Sequence, residues 1–143
     1  SVEAALTSLH GQVHAVEKEE DAVELLKQNI ELFGAGNIVL HHGTAPEALR
    51  GLPDPDRVFI GGSGGNFEKI IRHVHDKLLP GGRVVINAVV LETLTKAVEL
   101  LKILRFGDID LVQVSISKTM SVGNLNMFKS NNPVFVISAE KAV

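Results

Sequence analysis

Helical and strand periodicities alternate along most of the chain. Val2, Ala5, Leu6 and Leu9 recur at helical spacing, and Gly11 closes that segment. Residues 12–16 read as a strand that ends at Glu17. Glu20 and Asp21 favour the start of a second helix, with Ala22, Leu26, Ile30 and Phe33 on its buried face and Gly34 and Gly36 ending it. Another strand is expected over 37–42, then the turn Gly43-Thr44-Ala45-Pro46 and a short helix to Leu49. The turn residues LPDPD at 52–56 lead to a short apolar strand at 58–60. Gly61, Gly62, Ser63, Gly64 and Gly65 follow it, with Asn66 at the N-cap position of a helix carried by Phe67, Ile70, Ile71, Val74 and Leu78. Pro80-Gly81-Gly82 is a hard stop. The strand at 83–90 is nearly all apolar, so burial on both faces is expected. Leu94, Ala97, Val98, Leu101 and Leu104 then carry a helix that Phe106-Gly107 ends.

This alternation predicts an α/β fold, a parallel sheet with helices on both faces. The C-terminal part departs from it, with two strands and no helix between them. Residues 109–117 are half-polar and change parity between 111 and 112, which suggests a bulged edge strand. Residues 134–137, VFVI, are apolar without a break and belong inside the sheet, so the two strands should form an antiparallel hairpin. Their connection, 118–133, is long for a hairpin and holds Met120 and Met127. The two methionines fit gap-filling packing and an adaptable ligand- or subunit-facing wall equally well. No repeat or linker is visible, so residues 1–143 are expected to form one domain. The order helix–strand–helix at the front is the tail of a βαβ unit. It predicts that the native protein extends upstream of Ser1 by a strand and a turn, roughly ten residues or more.

Composition narrows the chemistry. A length of 143 residues with 45% hydrophobic and 22% charged positions is that of a globular domain. A net charge of −3, no Trp and no Tyr argue against nucleic acid and anionic membranes as partners. The lack of cysteine excludes disulfides, thiolate zinc sites and iron–sulfur clusters, and is compatible with the cytoplasm, the expected compartment. No apolar run approaches the ~20 residues that span a bilayer.

Candidate sites follow from strand ends. Glu17, in the run Glu17-Lys18-Glu19-Glu20-Asp21, stands where a carboxylate accepts ribose hydroxyls in doubly wound sheets; a solvated charge is the competing reading. Thr44 and Ala45 follow the next strand at the equivalent edge, beside a helical turn that explains them as well. The glycines at 61–65 suit either close approach of a ligand or a tight turn. They form neither G-x-G-x-x-G, because position 67 is Phe, nor a Walker loop. Ser63 lacks the G-x-S-x-G frame, and no catalytic side chain can be named. Adjacent His41 and His42, and His73 with His75, diverge from one another, so no metal site is expected.

Together the segments VHAVEKEEDAVELLKQNIELFG, HGTAPEAL, VFIGGSGGNFEKII, LLPGGRVVINAV and MFKSNNPVFVISAEK resemble the decarboxylating precorrin methyltransferases of cobalamin biosynthesis. That family comprises the carbon-15 methyltransferase/decarboxylase, as a separate small protein or as the C-terminal half of precorrin-6Y C5,15-methyltransferase. GGSGG at the strand end and SNNPVFVI are its most specific parts here. The resemblance implies a Rossmann-like class I methyltransferase sheet of strand order 3-2-1-4-5-7-6 that binds S-adenosylmethionine. It places Glu17, with Lys18 beside it, at the ribose, Thr44 and Ala45 at the adenine, and Gly61 on the cofactor side of the cleft. Thr44 departs from the Asp more usual there. The family's first strand and its glycine-rich loop have no counterpart in this chain. The substrate would be a precorrin-type tetrapyrrole, with contacts from Gly62, Ser63, Asn66, Asn87, Lys118 and Lys129. The resemblance also suggests a homotetramer, with 118–132 as the contact. Two other classes stay open: a methyltransferase for another small molecule or RNA, and a non-catalytic scaffold domain of the same fold.

Overall fold

The computed structural model describes residues 1–8 and 10–143; Leu9, expected on the first helix's buried stripe, lies outside the described residues. The chain forms two compact units, Ser1–Pro53 and Asp54–Val143.

The first unit contains α1 (Val2–Thr7), β1 (Val13–Glu17), α2 (Glu20–Leu32), β2 (Ile38–His42) and a 3-10 turn, Glu47–Leu49. β1 and β2 run parallel, in register from Val13 opposite Ile38 to Glu17 opposite His42. Ala5, Ala15, Ala35 and Ile38 form the buried cluster, with Val2, Leu26, Ile30 and Leu40 packed against it. Asn37, just before β2, has its amide Nδ2 within 3.0–3.2 Å of the carbonyls of Ala5, Ser8 and Gly11. One side chain thus satisfies carbonyls left over at the end of α1. The stripe expected on α2 is corrected at one end. Val23 is its buried residue, Ala22, Leu26 and Ile30 are half-buried, and Phe33 is exposed. Phe33 is the C-cap, so the helical spacing that would bury it has already ended.

The second unit contains β3 (Arg57–Ile60), α3 (Phe67–Lys77), β4 (Arg83–Ala88), α4 (Leu91–Ile103), β5 (Phe106–Val114), β6 (Ser117–Val122), β7 (Leu125–Ser130) and β8 (Val134–Lys141). Its main sheet has the order β3-β4-β8-β5, with β3 and β4 parallel and β8 antiparallel to both neighbours. The interior last strand and the edge strand before it are as expected, and the order matches the 4-5-7-6 part of the methyltransferase sheet. Ile71, Val84, Ala97, Leu101, Ile137 and Ala139 are fully buried between this sheet and its helices. Arg83 and Glu140 face each other across β4 and β8 and pair at 2.9 Å. Lys141 Nζ donates to the carbonyls of His75 and Leu78 at 2.6 and 2.7 Å, a cation on the C-terminal end of α3.

Three expectations for this unit change. The strand expected over 83–90 stops at Ala88; Val84, Ile86 and Ala88 are buried, Val85 and Asn87 half-buried, and Val89 and Val90 exposed. The chain turns there into α4, with Val90 as its N-cap. The β5 bulge is real but lies between Gly107 and Asp110, where Asp108 has φ 46°, and not at the parity change. Leu111 and Val112 are both exposed, so their parity carried no face information. The connection 118–133 contains its own antiparallel hairpin, β6–β7, closed by Gly123-Asn124 with Gly123 at φ 59°. Positive φ at the first of two turn residues is the type II′ pattern, so Gly-Asn between alternating runs was the signal.

Ile137 has no exposed surface and sits mid-ladder between β4 and β5. Ile137→Ala is expected to lower unfolding free energy by about 2–5 kcal/mol in urea denaturation. Val112→Ala, on the exposed edge, should stay within about 0.5 kcal/mol of wild type.

Candidate functional site

In the first unit the carboxyl ends of β1 and β2 come together. The backbone N–H groups of Lys18 and Glu19 donate to Glu17 Oε1 at 2.8 and 2.9 Å. The Glu17 side chain is therefore fixed by the turn that follows it. Its Oε2 takes no hydrogen bond among the described residues. Gly43 N–H donates to the Glu17 carbonyl at 2.9 Å, which draws the turn carrying Thr44 and Ala45 to the same edge. Ala48 N–H bonds the Thr44 carbonyl, and the Ala45–Pro46 bond is cis. Four sequence candidates, Glu17, Lys18, Thr44 and Ala45, thus share one edge. The Lys18 ammonium turns to Glu19 at 2.8 Å. The hydrogen bond to Glu19 raises the Lys18 pKa and lowers that of Glu19. On a nearby part of this sheet His14 Nδ1 and His41 Nε2 lie 2.9 Å apart with their rings stacked, while His42 Nε2 lies 3.2 Å from the Lys18 carbonyl. His41 and His42 thus find different partners. Among the described residues, no three His, Asp or Glu converge as a metal-binding group.

In the second unit β3 runs out at Ile60 into the glycine loop. The glycines there do different jobs. Gly64 and Gly65 have φ of 53° and 87°, so the turn itself requires them. Gly62 has no positive φ, and a Cβ placed on it would meet nothing within 4 Å. Neither backbone geometry nor packing demands glycine at 62. Asn66 is the N-cap of α3, as expected, but its side chain makes no capping hydrogen bond; its N–H donates to the Ser63 carbonyl at 2.8 Å.

Two clefts flank this loop. One, of ≈110 Å3, is lined by Gly61, Gly62 and Ser63 on one side and by Asn87, Val89 and Val90 on the other. The remaining lining comes from Ile60, Phe67, Ile86, Ala88 and Thr93, so no charged residue borders it. The second, of ≈360 Å3, is lined by Gly65, Asn66, Glu68, Lys69 and Arg72. Glu68 bonds Lys96 at 2.8 Å and Arg72 at 2.9 Å. The Lys96 contact is the main cause of its lowered pKa, and Lys96 is raised in return. Lys118 and Lys129 line neither cleft; they stand directly opposite each other on β6 and β7, exposed and without an ion pair among the described residues. Val89, Val90, Phe67 and Thr93 were not anticipated as lining residues. The first two fall where the apolar run predicts the end of a buried strand.

A family model described as a precorrin methyltransferase domain matches residues 1–141. The chain belongs to the precorrin methyltransferase domain family. This domain is 39% identical over 141 residues to the cobalt-precorrin-6B C(15)-methyltransferase (decarboxylating) of Salmonella typhimurium, covering 99% of this chain and 72% of that one. The crystal structure of precorrin-6Y C5,15-methyltransferase from Geobacter metallireducens superposes with a TM-score of 0.89 at 42% identity, over 98% of this chain and 74% of that chain. Precorrin-8W decarboxylase from Methanobacterium thermoautotrophicum gives 0.81 at 36% identity, over 90% and 69%. Of two further curated relatives, from Methanothermobacter thermautotrophicus and Sulfurisphaera tokodaii, this precorrin methyltransferase domain spans 66% and 73% of the length.

Glu68 supplies a pH test. Its carboxyl titrates below the ordinary range when folded, so the stability it contributes is present at neutral pH and is lost as pH falls through that lowered pKa. In urea denaturation from neutral to acid pH, wild type should lose this increment, and Glu68→Gln should show a shallower acid decline.

Proposed function

We propose that the chain is an S-adenosylmethionine-dependent methyltransferase/decarboxylase domain that acts on a precorrin in cobalamin biosynthesis. The observation that carries this reading is the Glu17 carboxylate, pinned through Oε1 at the end of β1 with Oε2 left to accept a hydroxyl. That free acceptor fits a ribose hydroxyl. Thr44 and Ala45, on the same edge, would border the adenine. Lys18 contributes its backbone N–H, since its side chain is engaged by Glu19. Bound S-adenosylmethionine supplies an electrophilic methyl group for in-line displacement by carbon.

The remaining assignments concern the substrate. Gly61 is assigned to the cofactor where it lines the uncharged cleft, and Gly62, Ser63 and Asn87 are assigned to the tetrapyrrole in the same cleft. Asn66, with Lys69 and Arg72, borders the charged one, where substrate carboxylates have cations within reach. Methyl transfer needs positioning more than acid–base chemistry, which fits the lack of a histidine or thiol nucleophile in either cleft. Both units are read as one methyltransferase domain, because the family match runs through them from residue 1 to 141. The assembly is proposed as a homotetramer in the cytoplasm. β6–β7 is its contact: Met120, Val122, Leu125 and Met127 share one face of the hairpin and are all exposed. Lys118 and Lys129 head that face and serve as further carboxylate contacts.

Titration of the full-length protein with S-adenosylmethionine should show binding, and its failure to bind would sink this reading. Glu17→Ala should weaken the binding by about 1–3 kcal/mol, the cost of a polar group left unpaired; unchanged affinity would remove Glu17 from the site.

A further inference from the structure

The cleft between residues 61–63 and 87–90 measures ≈110 Å3, below the about 300–1000 Å3 of sites that enclose a whole drug-sized ligand. It has room for one small substituent. Its lining is also unusual for a site that meets a polycarboxylate. Three neutral polar side chains, Ser63, Asn87 and Thr93, line it together with aliphatic Ile60, Ile86, Val89 and Val90, with no cation among the lining residues. Neither Ser63 nor Asn87 uses its side chain in a hydrogen bond among the described residues. On the other side of the same loop the larger cleft carries Lys69 and Arg72 beside one carboxylate, Glu68, which bonds Arg72. One loop thus separates an uncharged cleft from one in which cations outnumber carboxylates.

We infer that the uncharged cleft receives the acetate arm that loses CO2, and that the cationic cleft holds carboxylates that stay. This rests on the precorrin reading above. In the step assigned to the uncharged cleft, the bond between the arm's methylene carbon and its carboxylate breaks and CO2 leaves. The electron pair passes into the conjugated macrocycle, and the methylene carbon takes up a proton from water. Charge therefore moves away from the carboxylate as the bond breaks. A cation beside the carboxylate would hold the ground state more tightly than the transition state and slow the step. Ser63 and Asn87 can orient the carboxylate through neutral hydrogen bonds beside the aliphatic wall. Val89 and Val90 are exposed where the chain leaves β4.

The test places a cation in the cleft. Full-length wild type, Val89→Lys and the neutral Val89→Met are each incubated with S-adenosylmethionine and cobalt-precorrin-6B. Mass spectrometry then separates methylated from methylated and decarboxylated product. Val89 is 62% exposed, so neither substitution threatens folding, which thermal melts confirm. Val89→Lys is expected to lower the ratio of decarboxylation to methylation by about tenfold or more relative to Val89→Met, which adds bulk without the charge. An unchanged ratio in Val89→Lys, an equal fall in Val89→Met, or parallel loss of both activities overturns the inference. Wild type that methylates without releasing CO2 overturns it alone. Wild type that does neither overturns the functional reading and this inference with it.

Discussion

The second unit depends on how the last strand enters its sheet. β8 lies antiparallel between β4 and β5, and its register decides what else is possible. Val84, Ile86 and Ala88 of β4 meet Ala139, Ile137 and Phe135. Because side chains alternate, a slip of one residue would turn Ile137 and Ala139 from the packed face to the other. The Arg83–Glu140 pair and the reach of Lys141 to the end of α3 hold the register at the far end.

The same register places chemistry at one edge. Phe135 opposite Ala88 and Gln113 brings the start of β8 and the end of β5 beside the carboxyl ends of β3 and β4. The glycine loop, the 87–90 turn and the root of the β6–β7 hairpin all leave the sheet there. That edge is where open α/β sheets bind ligands. What distinguishes this one is the division of charge across a five-residue stretch. A positive φ at Gly64 and Gly65 turns the backbone towards α3 and its Glu68, Lys69 and Arg72, whereas Gly61 and Gly62 stay on the uncharged side.

Much of this was legible in the chain because it depends on local pattern. The strand ending at Glu17, the N-cap at Asn66, the stop at Gly81-Gly82 and the unbroken VFVI of β8 each report a period or a backbone requirement that neighbours in sequence settle. Glu17 was found as a strand-end carboxylate by the same means. Other signals were present and misread. Gly123-Asn124 marks a two-residue hairpin turn, and Val89-Val90 extended an apolar run past the strand that Asn87 and Ala88 end. Phe33 continued the spacing of α2 beyond its last turn.

By itself the sequence determined most element types, the edge place of β5 and the interior place of β8, and the strand-end candidates, all set by periodicity and turn residues; the family was legible from the resemblance of its segments. Only the tertiary structure decided which glycines the turn needs and which it leaves free. It also revealed Asn37 spanning three carbonyls, His14 against His41, and Lys141 on the end of α3. These contacts join residues 26 to 66 positions apart, and no local pattern encodes such a distance. The absence of charge in the cleft beside Gly62 is of the same kind. It is a property of two segments from different strands, and neither carries it alone.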